Sequence, residues 1–240
     1  MNKFSKKLTT ALGVAVAAFT FINGTGYAAG SIEFTNSDTI NSSYNRTNAV
    51  SFIKSYAAKP GYTTSPFTSY GGNSDGGDCT NFVSEVLHLG GGLGFHGTKG
   101  NNSNTVDWYY YGPHVPPSTQ PRTSSWTGAH QFREHWGVVN GSGGKKAYQM
   151  IKYTNKDAVS SYNEIYSSLW NGDIIQYVDA TGHTVHSQVV WNFANQTMNV
   201  AQHSTNDRYW GLDMGLRTEL ENRQDQGGHV VLLKIKKSGS

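Results

Sequence analysis

Residues 173–204 read DIIQYVDATGHTVHSQVVWNFANQTMNVAQHS, and the fold turns on this stretch. After Asn171-Gly172 the apolar residues recur every second position. The pattern predicts a strand over Asp173–Asp179, a Thr181-Gly182 turn, a second strand over Thr184–Phe193, an Asn195-Gln196 turn and a third strand over Met198–Ser204. Gly228 leads into a last strand, His229–Ile235. Short turns between successive strands imply an antiparallel meander. Upstream the period is helical. Ala49, Val50, Ile53, Tyr56 and Ala57 mark a helix over Tyr44–Lys59, stopped by Pro60-Gly61. A second helix starts at Cys79, carries Phe82, Val83, Val86 and Leu87 on one face, and ends at Gly90-Gly91-Gly92. Short helices are expected over Ser125–Trp136 and Tyr162–Leu169. Helices first and strands afterwards give an α+β domain of N-terminal helices packed on an antiparallel meander. The segment 92–146 has weak periodicity and reads as functional loops.

The N-terminus has a different character. Lys3, Lys6 and Lys7 precede an apolar run from Ala11 to Ile22, followed by the small-x-small tripeptide Gly26-Tyr27-Ala28. That order predicts a secretory signal peptide over 1–28; the run of about 12 residues is short of the roughly 20 a spanning helix needs. Residues 29–43 are polar and patternless, a flexible lead-in to a domain over 44–237. The expected protein is exported, soluble, free of the membrane after cleavage and monomeric. The chain has 19 basic and 16 acidic residues, and losing the three leader lysines leaves 16 against 16. No basic footprint for nucleic acid or an anionic membrane remains.

The 240 residues hold one cysteine, Cys79, so no intrachain disulfide can form. A free thiol in an oxidising compartment is either buried and inert or kept because it reacts. Cys79 opens a predicted helix, where the dipole and free N–H groups lower a thiol pKa and can hold the oxyanion of an attacked carbonyl. Asp78 is the candidate N-cap. A thiolate hydrolase also needs an imidazole. On the second strand Val185, Val189 and Trp191 share one face, expected in the core, while His186, Gln188 and Val190 share the other. His186 is thus the candidate base. His183 points to the opposite side, which makes His183-x-x-His186 a poor metal pair. On the third strand Ala201 and His203 share a face, and His203 is the candidate orienting group beside His186, with Asn206 and Asp207 as runners-up. Trp108, Tyr109, Tyr110, Tyr111, Trp126 and Trp136 fit either a substrate groove or ordinary packing. Gly90-Gly91-Gly92 has neither the spacing nor the context of a phosphate loop.

Tyr70-Gly71-Gly72 and Gly77-Asp78-Cys79-Thr80-Asn81-Phe82-Val83-Ser84 closely resemble the signature of the Putative amidase domain family. Weaker patches follow in the right order: Tyr44 to Val50, Ser124-Ser125-Trp126, Gly172 to Tyr177 and His186-Ser187. The family looks like a relative of the NlpC-type and CHAP-type cell-wall hydrolases. The resemblance implies a papain-like fold, Cys79 as nucleophile, His186 as general base and acid, and a polar orienting residue on the next strand, for which His203 is the fit. Tyr70 resembles the tyrosine beside the cysteine in NlpC-type enzymes, or is core packing. Asp78 and Trp126 complete the set as oxyanion-supporting or substrate-lining residues. The expected activity is hydrolysis of an amide in the peptide part of peptidoglycan through a thioester, with no cofactor and no metal. The alternatives are a secreted peptidase or acyl transferase on protein substrates, and a non-catalytic wall- or glycan-binding module. A zinc site of Cys79, His186 and His203 is the remoter option.

Overall fold

The structure, a computed structural model, describes residues 30–58, 77–97, 105–111, 122–141, 143–203 and 211–239. The expected signal peptide, Tyr70, Asn206 and Asp207 lie outside these. The strands are β1 (Ser31–Thr35), β2 (Gln149–Thr154), β3 (Ile174–Val178), β4 (Thr184–Ala194), β5 (Thr197–Gln202), β6 (Gly211–Gly215) and β7 (His229–Lys234). The helices are α1 (Arg46–Tyr56), α2 (Cys79–Glu85), α3 (Ser124–Thr127), α4 (Ala129–Trp136), α5 (Asn155–Ser160), α6 (Tyr162–Ser168) and α7 (Leu216–Glu221). A π-helical turn, Val86–Gly90, prolongs α2. The strands form one sheet in the order β1-β2-β7-β3-β4-β5-β6, antiparallel throughout. The fold is therefore α+β: the expected meander runs β3 to β5, the unforeseen β6 extends it, and the last strand, β7, returns between β2 and β3.

Both faces of the sheet are covered. On the first, Met150, Ile174, Val189, Ala201, Val231 and Leu233 pack with Ile53, Phe82, Val86, Trp126, Phe132 and Trp136 of α1 to α4 and the π-turn. On the second, Ile151, Ile175, Val190, Val200 and Leu232 pack with Ala158, Ile165 and Leu220 of α5 to α7. Alternate residues of one strand thus enter opposite cores, as the two-residue period requires. The Asn195-Gln196 turn has positive φ at both residues, 51° and 60°, and joins β4 to β5 as a tight hairpin.

Three expectations need correction. The lead-in is not featureless: Ser31–Thr35 forms β1, an edge strand on β2 with a register shift between Ile32 and Phe34. Val185 is not core. It is the extra residue between the pairs Tyr177↔His186 and Val178↔Thr184, and this bulge leaves it 49% exposed. The helix expected over 125–136 is broken at Gly128, whose extended backbone (φ −93°, ψ 123°) separates α3 from α4. No helix among the described residues is long and apolar enough to cross a membrane.

Candidate active site

Gly77 leads into α2 with φ +112°, a conformation that suits glycine and turns the chain so that Cys79 becomes the first helical residue. The rest of α2, Thr80 to Glu85, is buried. Cys79 itself is half-buried and stands at the positive end of the helix. Its neighbours fix the turn to the sheet. Thr80 Oγ1 lies 2.9 Å from Ser187 Oγ on β4, and Gln176 Nε2 on β3 donates to that same Ser187 oxygen (2.9 Å) and to the Ala129 carbonyl (3.0 Å).

The thiol of Cys79 and the ring of His186 interact by charge and by hydrogen bond. Burial alone would push the thiol pKa up. The His186 charge, the hydrogen bond with it, the Thr80 hydroxyl and a backbone contact at Ser187 outweigh burial and bring it below its ordinary value. His186 moves the opposite way: burial would lower it, but Cys79 and the Gln202 amide raise it. The two shifts together favour a thiolate–imidazolium pair.

The group that holds the imidazole is Gln202, at the end of β5. Its Oε1 accepts from His186 Nε2 at 2.5 Å and from Gln188 Nε2 at 2.7 Å. With Nε2 committed to an oxygen, the ring nitrogen left for the thiol is Nδ1. His203 does not take the orienting position. The pairing Val189↔Ala201 sets Gln202 opposite Gln188 on the His186 face and turns His203 to the other face, toward α2. There His203 Nδ1 meets Asp78 Oδ2 at 2.8 Å, its Nε2 meets the Tyr56 carbonyl at 3.1 Å, and its ring stacks on Phe82 at 4.0 Å. Both ring nitrogens thus face acceptors, and the set Cys79, His186 and His203 is not brought together as a metal site. Among the described residues no group of three or more His, Cys, Asp or Glu side chains is arranged to hold a metal ion.

Asp78 makes no side-chain cap to α2. Its carboxylate accepts from His203 and, through Oδ1, from Asn81 Nδ2 at 2.9 Å, so it anchors the turn that carries Cys79. Asn81 also donates to Glu85 Oε1 (3.0 Å) and accepts from Trp126 Nε1 (2.9 Å). Burial first, then the Asp78 charge, holds the Glu85 carboxyl well above the usual carboxylate range. Trp126 lines no groove: it is fully buried and stacks on Trp108 at 4.7 Å. Trp108, Tyr109, Tyr110 and Trp136 are likewise buried, whereas Tyr111 is 44% exposed. Gln188 and Gln202 were missed by sequence reasoning. Gln188 sits on the face assigned to His186, and only the β4–β5 register adds Gln202 to it.

The family model for the Putative amidase domain matches residues 43–224, about three quarters of the chain, from before α1 to the end of α7. The chain belongs to that family, whose name suggests hydrolysis of amide bonds. No curated protein and no solved structure matches it.

Proposed function

We propose that this member of the amidase family is a cysteine amidohydrolase, exported from the cell, that cleaves an amide in the peptide part of cell-wall peptidoglycan. The observation that carries the cysteine mechanism is the Cys79–His186 pair with His186 Nε2 held by Gln202. In the first step the Cys79 thiolate attacks the carbonyl carbon, and the oxyanion forms beside the backbone N–H groups at the start of α2. His186, protonated at Nδ1, gives that proton to the leaving amine as the C–N bond breaks, leaving a thioester. The neutral ring then takes a proton from water, which adds to the thioester and releases the free acid and the thiol. Gln202 holds the ring so that one nitrogen serves the sulfur throughout.

Support for a wall substrate comes from the leader-like N-terminus and from the resemblance to wall hydrolases. A helix-borne cysteine laid across an antiparallel sheet that carries the histidine also suits the papain-like reading. The test is digestion of purified wall material with wild type and with Cys79→Ala, followed by mass analysis of the released fragments. Wild type should release peptides with new free carboxylates, and Cys79→Ala should release none. Full release by Cys79→Ala overturns the mechanism, and a new amide in place of the acid would mark an acyl transferase.

A further inference from the structure

Gln202 does not hold His186 by itself. Behind it runs a chain of side chains from three neighbouring strands, all on the second face of the sheet. Tyr177 on β3 donates its O–H to Gln188 Oε1 at 2.6 Å. Gln188 on β4 donates Nε2 to Gln202 Oε1 at 2.7 Å, and His186 Nε2 reaches that same oxygen at 2.5 Å. We propose that Tyr177 and Gln188 are positioning residues whose hydrogen-bond polarity fixes which ring nitrogen of His186 carries its proton. The proposal rests on the Cys79–His186 reading above.

A side-chain amide has one donor end and one acceptor end, so a row of them has a direction. Tyr177, Gln188 and Gln202 are 2%, 0% and 4% exposed, and water cannot substitute for a lost partner. The direction starts at the phenol. Burial pushes the Tyr177 hydroxyl far up, so it stays an O–H that needs an acceptor, and Gln188 Oε1 is that acceptor. The Gln188 amide must then present Nε2 to Gln202, and Gln202 must present Oε1. That oxygen has two lone pairs and takes both Gln188 Nε2–H and His186 Nε2–H. When neutral, His186 is thereby the tautomer with its proton on Nε2 and a lone pair on Nδ1, which can receive the thiol proton.

Reversing the row gives the alternative. Gln188 Nε2 would face the phenol and leave its hydrogen without an acceptor, while Gln202 would offer N–H to His186 Nε2. The imidazole proton would then sit on Nδ1, and the ring could not take a proton from Cys79. Two features hold the start of the row: the Arg223 guanidinium lies 4.1 Å over the Tyr177 ring, and that ring lies nearly parallel (18°) to His186.

The test uses the full chain with Tyr177→Phe, Gln188→Met and the double variant, with His186→Ala as control. Two readouts are independent of any substrate: the pH profile of Cys79 alkylation by iodoacetamide, and the ¹⁵N shifts of the His186 ring. Tyr177→Phe and Gln188→Met should each slow alkylation at neutral pH by up to about tenfold, the upper end for one buried hydrogen bond between neutral groups. At a pH where the ring is neutral, their ¹⁵N shifts should move away from the pure Nε2–H form, and the double variant should be no slower than Gln188→Met. Folded variants with wild-type profiles and shifts would overturn the proposal. If Gln188→Met does not fold, Tyr177→Phe decides alone, since it deletes one oxygen and keeps the ring. A His186→Ala profile identical to wild type would instead overturn the Cys79–His186 reading. A shifted His186→Ala profile beside unchanged Tyr177→Phe and Gln188→Met profiles removes only the relay.

Discussion

Replacing His203 by alanine should cost stability and spare the thiol, the reverse of what a catalytic-triad histidine would do. His203 and Asp78 are each 1% exposed and joined at 2.8 Å, so the substitution leaves a carboxylate buried with its imidazole partner gone. It also removes the ring stacked on Phe82 at 4.0 Å and the donor to the Tyr56 carbonyl that ties α1 to the end of β5. Removing one partner of a buried pair costs about 3–5 kcal/mol. For a domain of this size each kcal/mol lowers the unfolding midpoint by roughly 2–4 °C, so the fall should be roughly 6–20 °C. Below that midpoint His186, Gln202 and Cys79 keep their contacts, and Cys79 should be alkylated at the wild-type rate. Asp78→Asn in the His203→Ala background should recover part of the loss, because it discharges the stranded carboxylate. The assays are thermal unfolding followed by circular dichroism and iodoacetamide alkylation at 20 °C. A midpoint change equivalent to under about 0.5 kcal/mol, the level of an ordinary surface substitution, together with a collapse of thiol reactivity, would refute the argument and return His203 to the site.

Gln202→Ala should behave oppositely, lowering kcat/KM on wall fragments by about 10²- to 10⁴-fold, the range of general acid–base catalysis, while the protein stays folded; kinetics beside an unfolding curve checks this. His186→Ala should raise the Cys79 pKa above the ordinary thiol value rather than merely restore it, because burial, the largest influence on the thiol, then acts without the imidazole. Alkylation at neutral pH should slow by at least about tenfold, one pKa unit, with its midpoint moved to higher pH. In the wild type the Cys79 contribution to stability, from a lowered pKa, is present above the ordinary thiol value and lost as pH falls through the lowered one. The His186 contribution, from a raised pKa, is present below the ordinary histidine value and lost as pH rises through the raised one. Glu85→Gln tests the buried acid: wild type should lose stability as pH rises from the ordinary glutamate value, 4.5, toward the raised one. The glutamine variant should show no such loss, as urea denaturation across that range would reveal.

The parts that were legible in the sequence are those with a local signature. The period-two run over β3, β4 and β5, its turn at Asn195-Gln196, and the glycine-led helix at Cys79 all declare themselves within a few residues. β1 and β6 do not. SIEFT and GLDMG are short edge strands of five residues each, held by pairing: β1 to β2 across a long sequence separation, and β6 to its neighbour β5. β2 was lost because a sheet buried on both faces weakens polar–apolar alternation: Met150, Ile151 and Tyr153 are all buried. The third site residue failed for a sharper reason. Ala201 and His203 do share a face, but whether that face meets His186 depends on the β4–β5 register, and a shift of one residue exchanges Gln202 for His203.

That exchange also explains why the block Asp78 to Phe82 carries so specific a pattern around one reactive atom. Four of its residues tie the first turn of α2 to three other parts of the fold. Asp78 reaches His203 beyond β5, and through that ring the end of α1. Thr80 reaches Ser187 on β4, and from it Gln176 on β3. Asn81 reaches Trp126 on α3, and Phe82 stacks on the same His203. Four anchors in three directions hold the backbone that presents Cys79, while the imidazole it meets is held by a separate amide on the opposite face of the sheet. Nucleophile and base are thus positioned by two polar networks on opposite faces of the sheet. A polar histidine next to the nucleophile's network is therefore weak evidence of a triad member; the group that counts is the one bonded to the far nitrogen of the base. By that criterion substitutions around Cys79 should divide into those that loosen the helix start and those that unset the ring. Asp78, Asn81 and His203 fall in the first class, and Gln188 and Gln202 in the second.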